Sequence, residues 1–208
     1  MEVNRRTQEE RSTATRAALV DAARRLWGEQ GYAAVGTPQI ASAAGVTRGA
    51  MYHQFADKAA LFRAVVERVE EDLTARLGEA VVAAGARDPA AALRAATDGW
   101  LDASQEPEVR QIVLLDAPVV LGWAGFRDVA LEHGLGLTEQ LLQAAMNAGQ
   151  LAPRPTRVLA HVLIGALDEA AMVIATAEDR ERARTEAGEV LHALLDALLE
   201  PRQPGSPA

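Results

Sequence analysis

In TPQIASAAGVTRGAMYHQFADK (Thr37–Lys58), the apolar residues and one glycine describe two short helices, a tight turn between them and the start of a third. Thr37 suits an N-cap, and Pro38 suits a first helical residue, which needs no N–H. Ile40, Ala41 and Ala44 recur at helical spacing, and Gly45 can take the left-handed conformation that ends a helix. Val46 is expected to plug inward and Thr47 to cap the second helix. Within that helix Met51 and Phe55 lie four apart and point inward. Arg48 and Tyr52 share another face, with Gly49 and His53 beside them. Asp57 can cap the third helix. The pattern is a helix-turn-helix.

Outward from this stretch the periodicity remains helical. Upstream, Ala18, Leu19, Ala22, Ala23, Leu26 and Trp27 keep one face from Ser12 to Gln30, and Gly31 ends that helix. Residues 1–11 are charged without an apolar period and are expected to form a flexible arm. Downstream, Ala59–Ala84 carries the stripe Leu61, Phe62, Val65, Val66, Val69, Leu73 and Leu77, with Glu67, Arg68, Glu70 and Glu71 on a wet face. Further helices are predicted over Asp88–Ser104, over Pro107–Asp116 with Pro118 as the stop, and over Trp123–Ala148, Pro155–Ala177 and Arg180–Leu199. The short run Ile112–Leu115 is the nearest approach to a strand. The tail PRQPGSPA, residues 201–208, is expected to be disordered. The expected fold is therefore all-α with about nine helices. It divides into the arm (1–11), a helix-turn-helix domain (12–58), a helical body (59–200) and the tail.

Composition narrows the function classes. The apolar content is 49%, mostly Ala, Leu and Val with 4% aromatics, which favours helices. The chain has no cysteine, so disulfides and thiolate metal sites are excluded. His53, His133, His161 and His192 form no H-E-x-x-H or other ligand spacing, and Gly134-Leu-Gly136 lacks the third glycine of a phosphate loop. No catalytic residue, metal site or cofactor is expected. The N-terminus has no apolar core of a signal peptide, and the apolar stretch Val158–Ala177 contains His161, Asp168 and Glu169, which are costly in a bilayer. A cytoplasmic protein without a membrane partner is the expectation. Glu67, Glu70, Glu71 and Asp72 read as a solvated face rather than a cation site.

The net charge is −8, yet residues 1–58 carry eight basic against six acidic side chains. A mildly basic head on an acidic body fits a local DNA contact better than a general coating of nucleic acid. The face Thr47, Arg48, Gly49, Tyr52 and His53 has the chemistry for it. A helix N-terminus in a major groove offers N–H groups to phosphate, and arginine makes bidentate bonds to guanine. Tyrosine and histidine can bond phosphate oxygens, and a glycine lets the backbone approach closely. Lys58 is the single lysine of the chain and stands at a helix N-terminus, where the macrodipole disfavours a cation. Its position makes sense if it helps that helix end hold a phosphate.

These residues carry a resemblance. R-x2-L-x-D-A-A-x2-L-W at Arg16–Trp27, E-Q-G-Y at Glu29–Tyr32 and I-A-x2-A-G-V-T-R-G-A-M-Y-H-Q-F-x2-K-x2-L at Ile40–Leu61 resemble the DNA-binding domain of the TetR (tetracycline repressor) family. The resemblance implies about nine helices, a homodimer on double-stranded operator DNA, and repression relieved by a small-molecule effector in the C-terminal domain. It implies that Thr37 and Thr47–His53 hold the operator and that Lys58 holds a phosphate. Gly36-Thr37-Pro38 departs from the family pattern at the proline, which weakens the carry-over for Thr37. The alternative is a helical protein-interaction module without sequence-specific DNA binding, which leaves the Thr37–Lys58 pattern unexplained.

For the body, large or polar residues on apolar faces are the effector-site candidates: Trp100, Trp123, Phe126, Met146, His161 and Asp168. Each also reads as core or interface. Asp168 and Glu169, inside an apolar helix, can pair with an arginine, line a pocket or face water. The last two helices carry more apolar surface than one face needs, so residues 156–177 and 180–199 are expected to form a four-helix homodimer interface.

Overall fold

A computed structural model describes residues 2–83 and 88–199, with side chains from Gln8 onward. Helices and turns, and no strand, occur among the described residues. Nine helices follow: α1 Glu2–Gln30, α2 Thr37–Ala43, α3 Arg48–Gln54, α4 Lys58–Ala83, α5 Pro89–Ala103, the composite α6, α7 Gly122–Asn147, α8 Thr156–Thr176 and α9 Arg180–Leu199. Here α6 joins Pro107–Val109, a π-helical stretch Arg110–Asp116 and Ala117–Val120. The all-α expectation agrees with this, and Ile112–Leu115 is helical. The tail 201–208 lies outside the described residues.

Three boundaries differ from the sequence reading. Residues 2–11, expected as an arm, are the opening turns of α1; they lack an apolar stripe, so periodicity gave no signal there. Thr37 is the first helical residue of α2, and Gly36 holds the N-cap position without a side-chain bond. Pro118 does not stop α6. The preceding turn widens so that the Ala117 N–H reaches the Ile112 carbonyl, five residues back, and the chain stays helical through a residue that has no N–H to give.

The described residues form two compact units: those within 1–69 with 107–126, and those within 70–106 with 127–208. The division falls eleven residues beyond the expected boundary at Lys58–Ala59, and the first unit recruits α6 from farther along the chain. The attachments are specific. Arg24 grips the Glu108 carboxylate with two hydrogen bonds of 2.8 and 2.9 Å, and the Tyr32 N–H donates to Asp116 Oδ2 at 2.8 Å. Gly31 turns the chain between them at φ +78°. A Cβ there would also come within 3.1 Å of Gln111 Nε2 on α6, so glycine answers both demands. Leu19, Trp27, Ile40, Met51, Leu61 and Phe62 are fully buried, and the Trp27, Tyr32 and Phe62 rings meet at centroid distances of 4.9–5.5 Å.

The second unit buries Leu93, Leu142, Ala145, Leu151, Ala160, Leu195 and Leu199 as one cluster. Arg94 pairs with Asp196, and Arg184 with Asp98 and Asp102, fastening α5 to α9 at its surface. Helix α8 is, among the described residues, the one helix long and apolar enough to cross a bilayer. In this fold it packs against α5 and α9 and buries Ala160, Ile164, Ala171, Ile174 and Asp168.

Candidate functional site

The helix-turn-helix is assembled from α2, α3 and the turn between them. Gly45 has φ +67°, the left-handed conformation that its position requires. Thr47 caps α3, its Oγ1 accepting the Ala50 N–H at 3.1 Å. Within α3 only Met51 is buried; Phe55 follows it into the core. Asp57 Oδ1 accepts the Ala60 N–H at 2.7 Å and starts α4. One buried anchor therefore fixes the orientation of α3 and leaves its opposite face in water.

Thr47, Arg48, Gly49, Tyr52 and His53 are all exposed on that face. The Arg48 guanidinium lies 5.6 Å from the Tyr52 ring centroid, a cation–π distance. A Cβ added at Gly49 would meet nothing nearer than Thr47 Oγ1 at 3.9 Å, so the backbone there is open to approach. Thr37 stands apart from the exposed group. It is buried, and its hydroxyl lies 3.3 Å from the Tyr52 hydroxyl. That hydrogen bond and the neighbouring Arg48 lower the Tyr52 pKa.

Lys58 is also turned toward the protein. Its Nζ donates to the Tyr32 carbonyl at 2.6 Å and lies 3.8 Å from the Tyr32 ring centroid. Burial lowers its pKa. Sequence reading singled out Lys58 but missed Tyr32 as its partner. It also missed the brace that α1 applies to the end of α3. Ser12 Oγ accepts from Gln54 Nε2 at 2.9 Å, and the Arg16 guanidinium lies 4.2 Å from the Phe55 ring centroid. Arg16 stands in the R-x2-L motif, so a signal was present, though not its target.

The second unit holds a partly open cavity of about 80 Å³ between α4, α5, α7 and α8. Trp100 and Asp168 line it. The other sequence candidates do not. Met146 packs against the apolar cluster of its unit. Phe126 is buried in the first unit, and Trp123 is 69% exposed with its ring 5.9 Å from Phe126. His161 contributes its carbonyl, which accepts from Arg127 Nη2 at 2.8 Å.

The cavity also holds Glu70, which the sequence reading placed on a wet face. That placement is corrected: Glu70 is only 6% exposed. Its spacing from Val66 and Leu73, four back and three on, puts it on the apolar stripe of α4. Burial, reinforced by the charge of Asp168, pushes its carboxyl up to about 8. Burial likewise raises Asp168 to about 6, opposed by Arg127, whose Nη1 donates to Asp168 Oδ2 at 3.0 Å. Trp100 faces the same space with its indole N–H committed to the Leu167 carbonyl at 3.1 Å. Among the described residues no group of three or more His, Cys, Asp or Glu has the geometry of a metal site.

Comparisons with known proteins cover both units. The family model described as bacterial regulatory proteins, tetR family, matches residues 19–65, and that described as tetracyclin repressor-like, C-terminal domain, matches residues 90–198. The crystal structure of a TetR-family transcriptional regulator from Pectobacterium atrosepticum is similar at a TM-score of 0.81 and 33% identity, over 93% of this chain and 98% of that one. An HTH-type transcriptional repressor of Mycobacterium tuberculosis is 27% identical over 177 residues, 85% of this chain and 91% of its own length. RolR, solved with resorcinol bound, shares the fold at a TM-score of 0.72 with 18% identity, over 95% of this chain and 98% of that one.

Proposed function

Because this chain belongs to the TetR family of transcriptional regulators, we propose that it works in the cytoplasm as a homodimeric repressor without enzymatic activity. It binds a pseudo-palindromic operator and leaves it when a small molecule occupies the second unit. The observation that carries the DNA-binding reading is α3, which buries Met51 and keeps Thr47, Arg48, Gly49, Tyr52 and His53 in water. Arg48 is assigned to a base edge. Thr47, Gly49, Tyr52 and His53 are assigned to the backbone and groove wall, where contacts position the helix. Thr37 acts through Tyr52, to which its hydroxyl lies close. Lys58 keeps two of its three ammonium protons for a phosphate once one is given to Tyr32.

The homodimer reading rests on apolar exposure. Val158, Val162 and Val173 on α8, and Val190 and Leu194 on α9, are each more than half exposed. On α8 the three valines fall on one face, with Glu169 among them. A second copy meeting this surface through the same helices makes a four-helix interface. Two recognition helices then address half-sites about 34 Å apart, one turn of DNA. The effector reading rests on the cavity, and RolR with resorcinol supplies a precedent within the fold. Helix α4 is the connection: it begins at Lys58 and carries Glu70 to Leu77 along the cavity. A ligand that favours one setting of α4 over another couples to DNA affinity by about 1–3 kcal/mol, or roughly 5–150-fold.

The test is selection of random duplexes by the purified full-length protein at fixed salt. The expected result is an enriched inverted repeat bound by a dimer. Val162→Glu with Leu194→Glu should give a folded monomer that loses the repeat. No enrichment at low salt would reject the regulator reading and favour the interaction module. An enriched single half-site, bound by a monomer, would reject the dimer.

A further inference from the structure

Glu70 is a carboxyl with 6% exposure, and among the described residues no hydrogen-bond or ion-pair partner serves it. It faces a partly open cavity rather than the core, and it shares that space with Asp168. A buried acid without a partner costs the fold stability unless something else supplies the partner. The guanidinium beside Asp168 is already engaged. Arg127 holds Asp168 Oδ2 and the His161 carbonyl, and it is not in the cavity wall. The other cavity walls carry no charge: α5 presents Ala96 and Trp100, and α7 presents Ala130, Gly134, Leu137, Thr138 and Leu141. The space therefore offers two acids and an indole, which attracts cations through its ring face.

A second hollow of about 50 Å³ gives the direction of the rest of the ligand. It shares Ala96, Thr138, Leu141 and Leu167 with the first cavity and continues along Leu93, Leu163 and Leu195. Rotation of leucine side chains in the shared wall would join the two spaces into one elongated site.

We propose that this site takes an amphiphilic organic monocation, its ammonium head beside Glu70 and Asp168 and its apolar tail along Leu141 and Leu167 into the second hollow. An anion is disfavoured by the Asp168 carboxylate, and a purely apolar guest leaves Glu70 unpartnered. The proposal deepens the effector reading and rests on it for its regulatory meaning, but not for the binding itself. The raised Glu70 carboxyl adds a signature. The empty site holds a proton near neutral pH, and a bound cation expels it, whereas a neutral guest does not.

The experiment is calorimetric titration of the full-length protein with hexyltrimethylammonium, 1-hexanol and hexanoate, three guests with a common tail and different heads. The cation should bind at least about tenfold more tightly than either of the others. Its heat should differ between phosphate and Tris buffers at pH 7 because a proton is released. Glu70→Gln should erase both the preference and the buffer dependence while keeping a thermal midpoint equal to or above that of wild type. Equal or tighter binding of hexanol or hexanoate overturns the proposal, as does no binding of the cation or a preference that survives in Glu70→Gln. Titration in the presence of the selected duplex separates the two readings. Cation binding without loss of DNA rejects the effector role and leaves the site standing. Release by hexanoate alone rejects the site and leaves the effector role standing.

Discussion

Helix α3 and the cavity of the second unit use polar side chains in opposite ways. On α3, Arg48, Gly49, Tyr52 and His53 stay in water and the helix is held by Met51. At the cavity, Glu70 and Asp168 keep 6% exposure each, and the polar groups themselves are inside. A solvated side chain adds little to the cost of folding, so its identity is free to follow a binding partner. A buried carboxyl costs several kcal/mol unless something compensates it, so its presence has to be accounted for within the molecule or by a ligand. Substitutions on α3 should therefore change recognition with the fold intact, whereas substitutions at the cavity should change stability and binding together.

The strongest challenge to that contrast is Met51→Ala. Removing the one buried side chain of α3 should cost about 2–5 kcal/mol and weaken binding to every duplex alike. A thermal midpoint that does not move would show that α3 is held by something other than this anchor. Next comes the pH dependence of Glu70. The unfolded glutamate titrates near 4.5 and the folded one near 8. Between these values the folded state holds more protons, so stability falls as pH rises. Above the folded value the loss is complete, and below the unfolded value it is absent. The stability of Glu70→Gln relative to wild type should grow by about 3 kcal/mol between roughly pH 4.5 and 7. Urea melts across that range measure it, and parallel curves would place Glu70 in water.

Smaller effects sharpen the description of α3. Arg48→Ala should lose about 1–3 kcal/mol of discrimination at one base pair with the thermal midpoint unchanged. Equal losses on selected and random duplexes would make Arg48 a phosphate contact. Lys58→Ala should weaken all sequences similarly and reduce the slope of log affinity against log salt by about one. Its midpoint should also drop slightly, because Nζ no longer holds the Tyr32 carbonyl. A lower midpoint with an unchanged slope would confine Lys58 to supporting the scaffold.

How readily each feature could be read from the chain follows the range of the interactions that make it. The turn at Gly45, the cap at Thr47 and the inward pair Met51 and Phe55 depend on neighbours within a few residues, and local spacing is sufficient for them. Glu70 was misread because three acidic neighbours suggested a wet face, although Val66, Leu73 and Leu77 mark its side of α4 as apolar. Attention to register rather than composition would have found it. The partnership of Arg127 with Asp168 spans forty-one residues and has no local signature. Met146 and Phe126 were read as candidates for the same apolar character that puts them in cores. The grip of α1 on α6 joins residues eighty-four apart, which is why the first unit extends beyond any boundary drawn along the sequence.

The widened turn in α6 has a consequence for how this chain tolerates change in length. A π-helical stretch holds one residue more than the α-helix it interrupts. Deleting one residue within Arg110–Asp116 would let that stretch close into ordinary α-helix, with each backbone donor again finding an acceptor four residues back. The flanking turns would keep nearly the same facing, so Glu108 and Asp116 would still reach Arg24 and the Tyr32 N–H. Pro118 would then sit in a regular α-helix without the wide turn before it, so related chains one residue shorter here should carry a residue other than proline at this position.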